Sequence, residues 1–288
     1  TVEETGQIYM IGETSYYYPC TIYCRERYNN GDFGHIVYGE AEYHHDYVHG
    51  SYAVSQWRHG EKWKQYYGMP PLFYPTHSTS MIVSVTDSHA THVCGMGFED
   101  KHEDNLYARK DNVWKNPFSN ETMMCKMSDG SNARINEFRR IGHPGTVGMS
   151  LYGTEAGYEE QVGAQMWITK DRKKCVALTD ELSCEGVEAG PADDPMGKVT
   201  GEDGTHSGAS SVHPVHLLPR EFIGLGNGHK GAHQFLVHDF VSACVSGETP
   251  PNNVWQAARY LIPGLIAHES AMQGGVLMEV PDLGDCPG

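Results

Sequence analysis

The chain of 288 residues carries 21 Lys and Arg against 37 Asp and Glu, a net charge of −16, with 39% hydrophobic residues and 17 His. Five Trp and 17 Tyr supply enough burial to exclude disorder, and the length allows one large or two ordinary domains. So acidic a surface repels phosphates, which excludes nucleic acid as a partner, and no stretch approaches the roughly 20 apolar residues of a membrane span.

Thr1 to Gly6 opens without a start Met, a basic region or an apolar region, so it is no signal peptide. It reads as the end of a helix running into a strand at Ile8 to Ile11, and a chain that begins inside an element points to something upstream. Gly12-Glu13-Thr14 breaks that strand, Pro19 starts a helical pattern, and Asn29-Asn30-Gly31-Asp32 ends it. His35 to Tyr43 alternates with the two-residue period of a half-buried strand, leaving open which set faces the core. Residues 44–71 read as a loop with aromatic anchors, and Ser80 to Val85 as a helix under the site.

From His89 the period returns to two. Thr91 to Phe98 and Glu121 to Met127 read as strands, and Asp129-Gly130 makes a hairpin to Asn132–Phe138. Ser150 to Glu155 and Ala164 to Thr169 extend an antiparallel sheet. Residues 180–215, rich in Gly, Ser, Asp and Pro, read as a long surface loop. Gln234 to Cys244 and Val254 to Met272 are helical, the second capped at Asn252-Asn253 and interrupted at Pro263, before a last strand at Val276 to Val280.

Four groups of residues carry chemistry. Gly12-Glu13 with Tyr16 and its neighbours follows a strand, a usual place for site residues. In Tyr43-His44-His45-Asp46, the alternation of a strand puts Tyr43 and His45 on one face and His44 and Asp46 on the other. In Tyr74-Pro75-Thr76-His77 the proline fixes one φ between a phenol and an imidazole, a pairing suited to acid/base work on a hydroxyl. His229 and His233 lie in a glycine-rich stretch, but Lys230 and the missing Glu of HExxH disfavour a metal, which leaves a sugar- or loop-contacting His. The scattered cysteines, without a CxxC pair, indicate a reducing, cytoplasmic compartment, and no metal is assigned.

Glu13 to Pro19, Gly31 to Tyr43, Tyr74 to His77, Asn116 to Thr122 and Pro263 to Ala271 together resemble the Gfo/Idh/MocA oxidoreductases over nearly the whole chain. The resemblance implies an α+β fold: an open, predominantly antiparallel sheet with helices packed on one face, preceded by a remnant of a Rossmann domain. Residues 1–12 correspond to the last helix and strand of that domain, and 13–288 to a substrate-binding and oligomerisation domain. The glycine fingerprint and the Glu-Lys-Pro motif with the family's catalytic Lys are absent from the sequence.

The resemblance further implies an NAD- or NADP-dependent oxidoreductase acting on a sugar, cyclitol or glycoside hydroxyl, and homo-oligomers formed through the open sheet. Tyr-Pro-Thr-His, in place of an Asp four residues before the His, is similar to the redox-neutral NAD-dependent glycosidases of glycoside hydrolase family 109. His77, Tyr43 and Tyr74 are the catalytic candidates, Glu13 a cofactor-side contact, and Tyr16, His45 and His229 substrate contacts. A non-catalytic binding or assembly module that lacks its cofactor domain is the third reading.

Overall fold

A computed structural model describes residues 1–184, 206 and 208–287, so most of the surface loop expected at 180–215 lies outside the described residues. The chain opens with one helical turn, α1 (Val2–Thr5), stopped by Gly6 with φ 64°. The strand expected at Ile8 to Ile11 does not form. The Ile11 N–H donates to the Asn252 carbonyl at 2.9 Å, and among the described residues no strand runs beside it to complete a ladder.

Helix α2 (Pro19–Asn29) has Pro19 at its first turn, where a missing N–H costs nothing, and buries Cys20, Tyr23 and Cys24 along one stripe. Strand β1 (Ile36–His44) follows. Its Gly39, Ala41 and Tyr43 face the helices, whereas Glu40, Glu42 and His44 line a hollow on the opposite, open face.

Residues 44–71 are not a loop. They fold as α3 (Ser51–His59) and α4 (Trp63–Tyr67), joined by a 3-10 turn. Aromatic residues drive this: Tyr52, Trp63 and Tyr67 close on Tyr47, Leu106 and Tyr107 in a second small core, with the Trp63 and Tyr67 rings 5.5 Å apart. Polar residues between these anchors hide the helical period in the sequence.

Helix α5 (Thr76–Thr86) lies across β1 and ends at Asp87 in the left-handed region, φ 54°. Strands β2 (Ala90–Glu99), β3 (Phe118–Met127) and β4 (Asn132–Phe138) follow, the last two joined at Asp129-Gly130 as expected, with Gly130 at φ 89°. Beyond β5 (Thr146–Gly153) comes an additional strand, β6 (Ala156–Gln161), which Glu159 and Glu160 disguise. Strands β7 (Ala164–Thr169) and β8 (Val176–Ala177) complete that edge.

Helix α6 (Gly228–Ser246) begins with His229, Lys230 and Gly231 in left-handed conformation and becomes regular after them. Helix α7 (Val254–Met272) is capped by the Asn253 side chain, which accepts from the N–H groups of Trp255 and Gln256. It runs through Pro263 without the expected interruption, because Pro263 and Gly264 are buried against the 71–75 turn: a Cβ at Gly264 would stand 2.2 Å from the Leu72 carbonyl. The last strand, β9, is reduced to Met278–Glu279.

The strand order is β8-β7-β6-β5-β1-β4-β3-β2-β9, with β1 and β4 parallel and the other neighbours antiparallel. Helices α2, α5 and α7 build the core on one face. The closest approach is at Gly95, where a Cβ would come within 2.0 Å of the Ala267 carbonyl, so α7 sits directly on β2. No helix among the described residues is long and apolar enough to cross a membrane, and the eight cysteines are unpaired.

Candidate active site

The core of the site is a carboxylate, an imidazole and a phenol in series. Glu13 precedes the 3-10 turn Thr14–Tyr17, and its Oε1 caps that turn by accepting from the Ser15 N–H at 3.0 Å. The same oxygen accepts from His77 Nδ1 at 2.6 Å, and Tyr74 Oη stands 3.2 Å from His77 Nε2. Pro75 lies between the phenol and the first turn of α5, so Tyr74 and His77 hold a fixed relation to each other. Ser15 Oγ ties the start of α5 to this group, 2.6 Å from Glu13 Oε1 and 2.7 Å from the His77 carbonyl.

Tyr43, at the end of β1, packs its ring 5.3 Å from the His77 ring and 6.0 Å from Tyr74. His45 stacks on Tyr43 at 5.4 Å and hydrogen-bonds Ser51 through Nδ1, which bears out the shared face of Tyr43 and His45. His229 enters from the start of α6, its ring 4.6 Å from His233 and close enough for the His77 charge to act on it. Its φ of 53° is uncommon for a non-glycine residue and marks a position held by its surroundings. Tyr16 lies elsewhere: Arg25 sits 3.8 Å over its ring, and its edge meets Tyr17. The helical register of the 3-10 turn sends it to the α2 side, which corrects its expected place beside the other candidates.

Two residues that the sequence did not single out complete the arrangement. Arg139 lies 4.7 Å over the Tyr43 ring and pairs with the buried Glu137, Nη2 to Oε2 at 3.0 Å. Ser78 Oγ donates to the other Glu137 oxygen, so this second carboxylate anchors α5 to β4. A Glu on the buried face of a strand, followed by Arg139 and Arg140, was the available signal, since a charge is rarely buried unpaired.

Electrostatics separates the two carboxylates. Burial works against the Glu13 charge, but the His77 hydrogen bond and charge, with help from Ser15, outweigh it and hold the carboxyl below its ordinary range. Burial likewise pulls His77 down, and Glu13 more than restores it, so the imidazole stands above its ordinary value. Glu137 is pushed up to about 7 by complete burial, against the pull of Arg139. His45 is lowered to about 4 by burial and the Arg139 charge, and stays neutral near physiological pH.

Tyr43, His45, Tyr74 and Arg139 form one wall of a cleft of about 400 Å³, closed on the other side by α3 and α4 with Arg58, Tyr66 and Tyr67. That volume lies within the range of roughly 300–1,000 Å³ common for small-molecule sites. The residues thus combine a charged acid/base relay with an aromatic, polar hollow that can hold a polyhydroxylated molecule by its C–H faces and hydroxyls.

Neither a protein-family model nor a curated protein sequence matches the chain. Solved structures do. Levoglucosan dehydrogenase, in complex with NADH and levoglucosan, superposes with a TM-score of 0.64 at 13% identity, over 96% of this chain and 67% of that one. Myo-inositol 2-dehydrogenase from Lactobacillus plantarum gives 0.58 at 18% identity, over 97% and 67%. An oxidoreductase domain protein from Kribbella flavida gives 0.63 at 13% identity, over 96% and 68%. The open sheet with helices on one face is therefore a fold that the chain shares with these oxidoreductases.

Proposed function

We propose that this chain is the substrate-binding part of an NAD(P)-dependent oxidoreductase acting on a sugar, cyclitol or glycoside hydroxyl. The observation that carries the reading is the Glu13–His77–Tyr74 series ending at the wall of the cleft. The fold shared with sugar and cyclitol dehydrogenases supports it.

The described residues do not fit the dinucleotide. Among them the parallel pair β1 and β4 is reached through two antiparallel strands, not through a single crossover helix. In the glycine-rich stretch at the start of α6, Gly231 packs on the Gly208 carbonyl, where a Cβ would meet it at 2.5 Å, so that close approach serves the chain itself. We assign NAD(P) to a separate dinucleotide-binding unit, with residues 1–12 the remnant of its last elements and 13–288 the substrate domain. The steps below concern protons and substrate placement alone.

The substrate hydroxyl sits against Tyr74 Oη and His77 Nε2, and its proton passes to the imidazole, directly or through the phenol. Glu13 stabilises the resulting imidazolium and fixes the ring by its bond to Nδ1. Tyr43 and Arg139 shape the wall beside the reacting carbon, and His45 and His229 contact the remaining hydroxyls. His77 must lose its proton before it can act as a base, so oxidation rises with pH through an apparent pKa above the ordinary 6.5 of histidine.

The test assays the full-length gene product with NAD+ or NADP+ against sugars, cyclitols and glycosides, following reduced nicotinamide and free sugar together. Net reduced nicotinamide with an oxidised sugar is the expected result. Glycoside cleavage without net reduction would instead establish the redox-neutral reading, and sugar binding with neither would establish a binding module. Assembly belongs to the same proposal: Met96, Phe98 and Met124 stand exposed on the open face, and a second copy covers them. A monomer by light scattering at micromolar concentration would refute that part.

A further inference from the structure

On the opposite face of β1 from Tyr43, three side chains converge around a polar hollow. Glu42 and His44 alternate outward from the strand, and His143 reaches them from the segment between β4 and β5; their ligand atoms all lie within 4.8 Å of one another. The hollow is about 230 Å³, and its rim carries Glu40, Arg134 and Glu160.

His44 is the unusual member. Its side chain is 7% exposed, and neither ring nitrogen has a hydrogen bond. A buried polar group without a partner is rare and calls for an occupant. The ring is not loosely placed: it stacks on Phe138 at 5.1 Å with planes 3° apart, and meets the His143 ring edge at 4.6 Å.

We propose that Glu42, His44 and His143 form a zinc site. His44 Nε2 stands 3.4 Å from Glu42 Oε2, close to the edge of about 3.3 Å in a tetrahedron with bonds of about 2.0 Å. His143 already has a ligand's tautomer: its Nδ1 is 2.8 Å from the Pro144 carbonyl and 3.3 Å from Thr146 Oγ1, so Nδ1–H donates to the carbonyl and Nε2 keeps its lone pair. Two imidazoles and one carboxylate suit zinc, with the fourth position open to water in the hollow. Arg134 Nη2 pairs with Glu40 at 2.7 Å, outside the three proposed ligands. The ion pins the 139–145 segment to the end of β1, on the side of the sheet away from His77, so the proposal does not rest on the enzymatic reading.

Titration of the metal-free protein with Zn2+ alone, by calorimetry near neutral pH, tests it. One equivalent should bind at micromolar concentration or tighter, and His143→Ala should weaken binding by roughly 100-fold or more, since loss of even an outer partner costs about 10- to 100-fold. Zn2+ should also raise the melting temperature of the parent and not of the variant. Should His143→Ala fail to fold, Glu42→Gln, which keeps the side-chain shape, takes its place. No saturable binding, leaving water as the occupant, or an affinity within threefold of the parent in the variant, overturns the site.

Discussion

The two faces of the sheet differ in how they treat the polar side chains around the end of β1. On the covered face each charge near Tyr43 has a partner: Glu13 with His77, and Glu137 with Arg139 and Ser78. On the open face neither ring nitrogen of His44 has a hydrogen bond, and Glu42 Oε2 stands 3.4 Å from Nε2. A side chain covered by helices loses water on folding and is retained only with a replacement, whereas one that borders a hollow can await a ligand. The closed network on the covered face holds the His77 imidazole in place, whereas the His44 imidazole on the other face borders a hollow.

His77→Ala separates the faces most sharply. It should lower kcat for sugar oxidation by about 10²-fold or more while the protein stays folded, measured by steady-state kinetics and circular dichroism. A change under threefold would remove the acid/base role.

Glu13→Gln keeps the shape of the carboxylate and removes its charge. Burial and the Arg139 charge then act on His77 against the Glu137 charge alone, so the acid limb of the kcat/KM profile should move to lower pH. The same pair makes stability depend on pH. Glu13, lowered on folding, contributes fully above 4.5 and loses its contribution as pH falls through its folded value. His77, raised on folding, contributes fully below 6.5 and loses its contribution as pH rises through its folded value. The difference in melting temperature between the parent and Glu13→Gln should therefore be greatest between 4.5 and 6.5.

Gly95→Ala tests the packing of the covered face without touching its chemistry. A Cβ 2.0 Å from the Ala267 carbonyl forces α7 off β2, and urea unfolding should show a loss of about 1–3 kcal/mol. The smallest effect is at the start of the same helix, where Asn253→Ala removes the side-chain cap and should cost about 1 kcal/mol.

Much of this molecule is legible in its sequence where a short period or a turn speaks for itself. The alternation around 35–43, the Asp129-Gly130 hairpin and the helix after Pro19 all stand as expected. The failures share a cause. Ile8 to Ile11 has the composition of a strand, yet no strand among the described residues pairs with it, and Pro263 has the signature of a break, yet packing keeps the helix in line. Residues 51–67 conceal two helices because their stability comes from Tyr47, Leu106 and Tyr107 and not from their own propensity.

The candidate site divides in the same way. The sequence by itself determined the Tyr74-Pro75-Thr76-His77 corner and the facing of Tyr43 and His45, since a fixed φ and a period of two are local properties of the backbone. Only the tertiary structure decided that Glu13, 64 residues from His77, is its partner, that Tyr16 turns away to Arg25, and that His143 meets His44. Contacts between distant residues form when buried surface and paired charge outweigh the entropy of closing the chain between them, and that balance is set by the whole packed molecule.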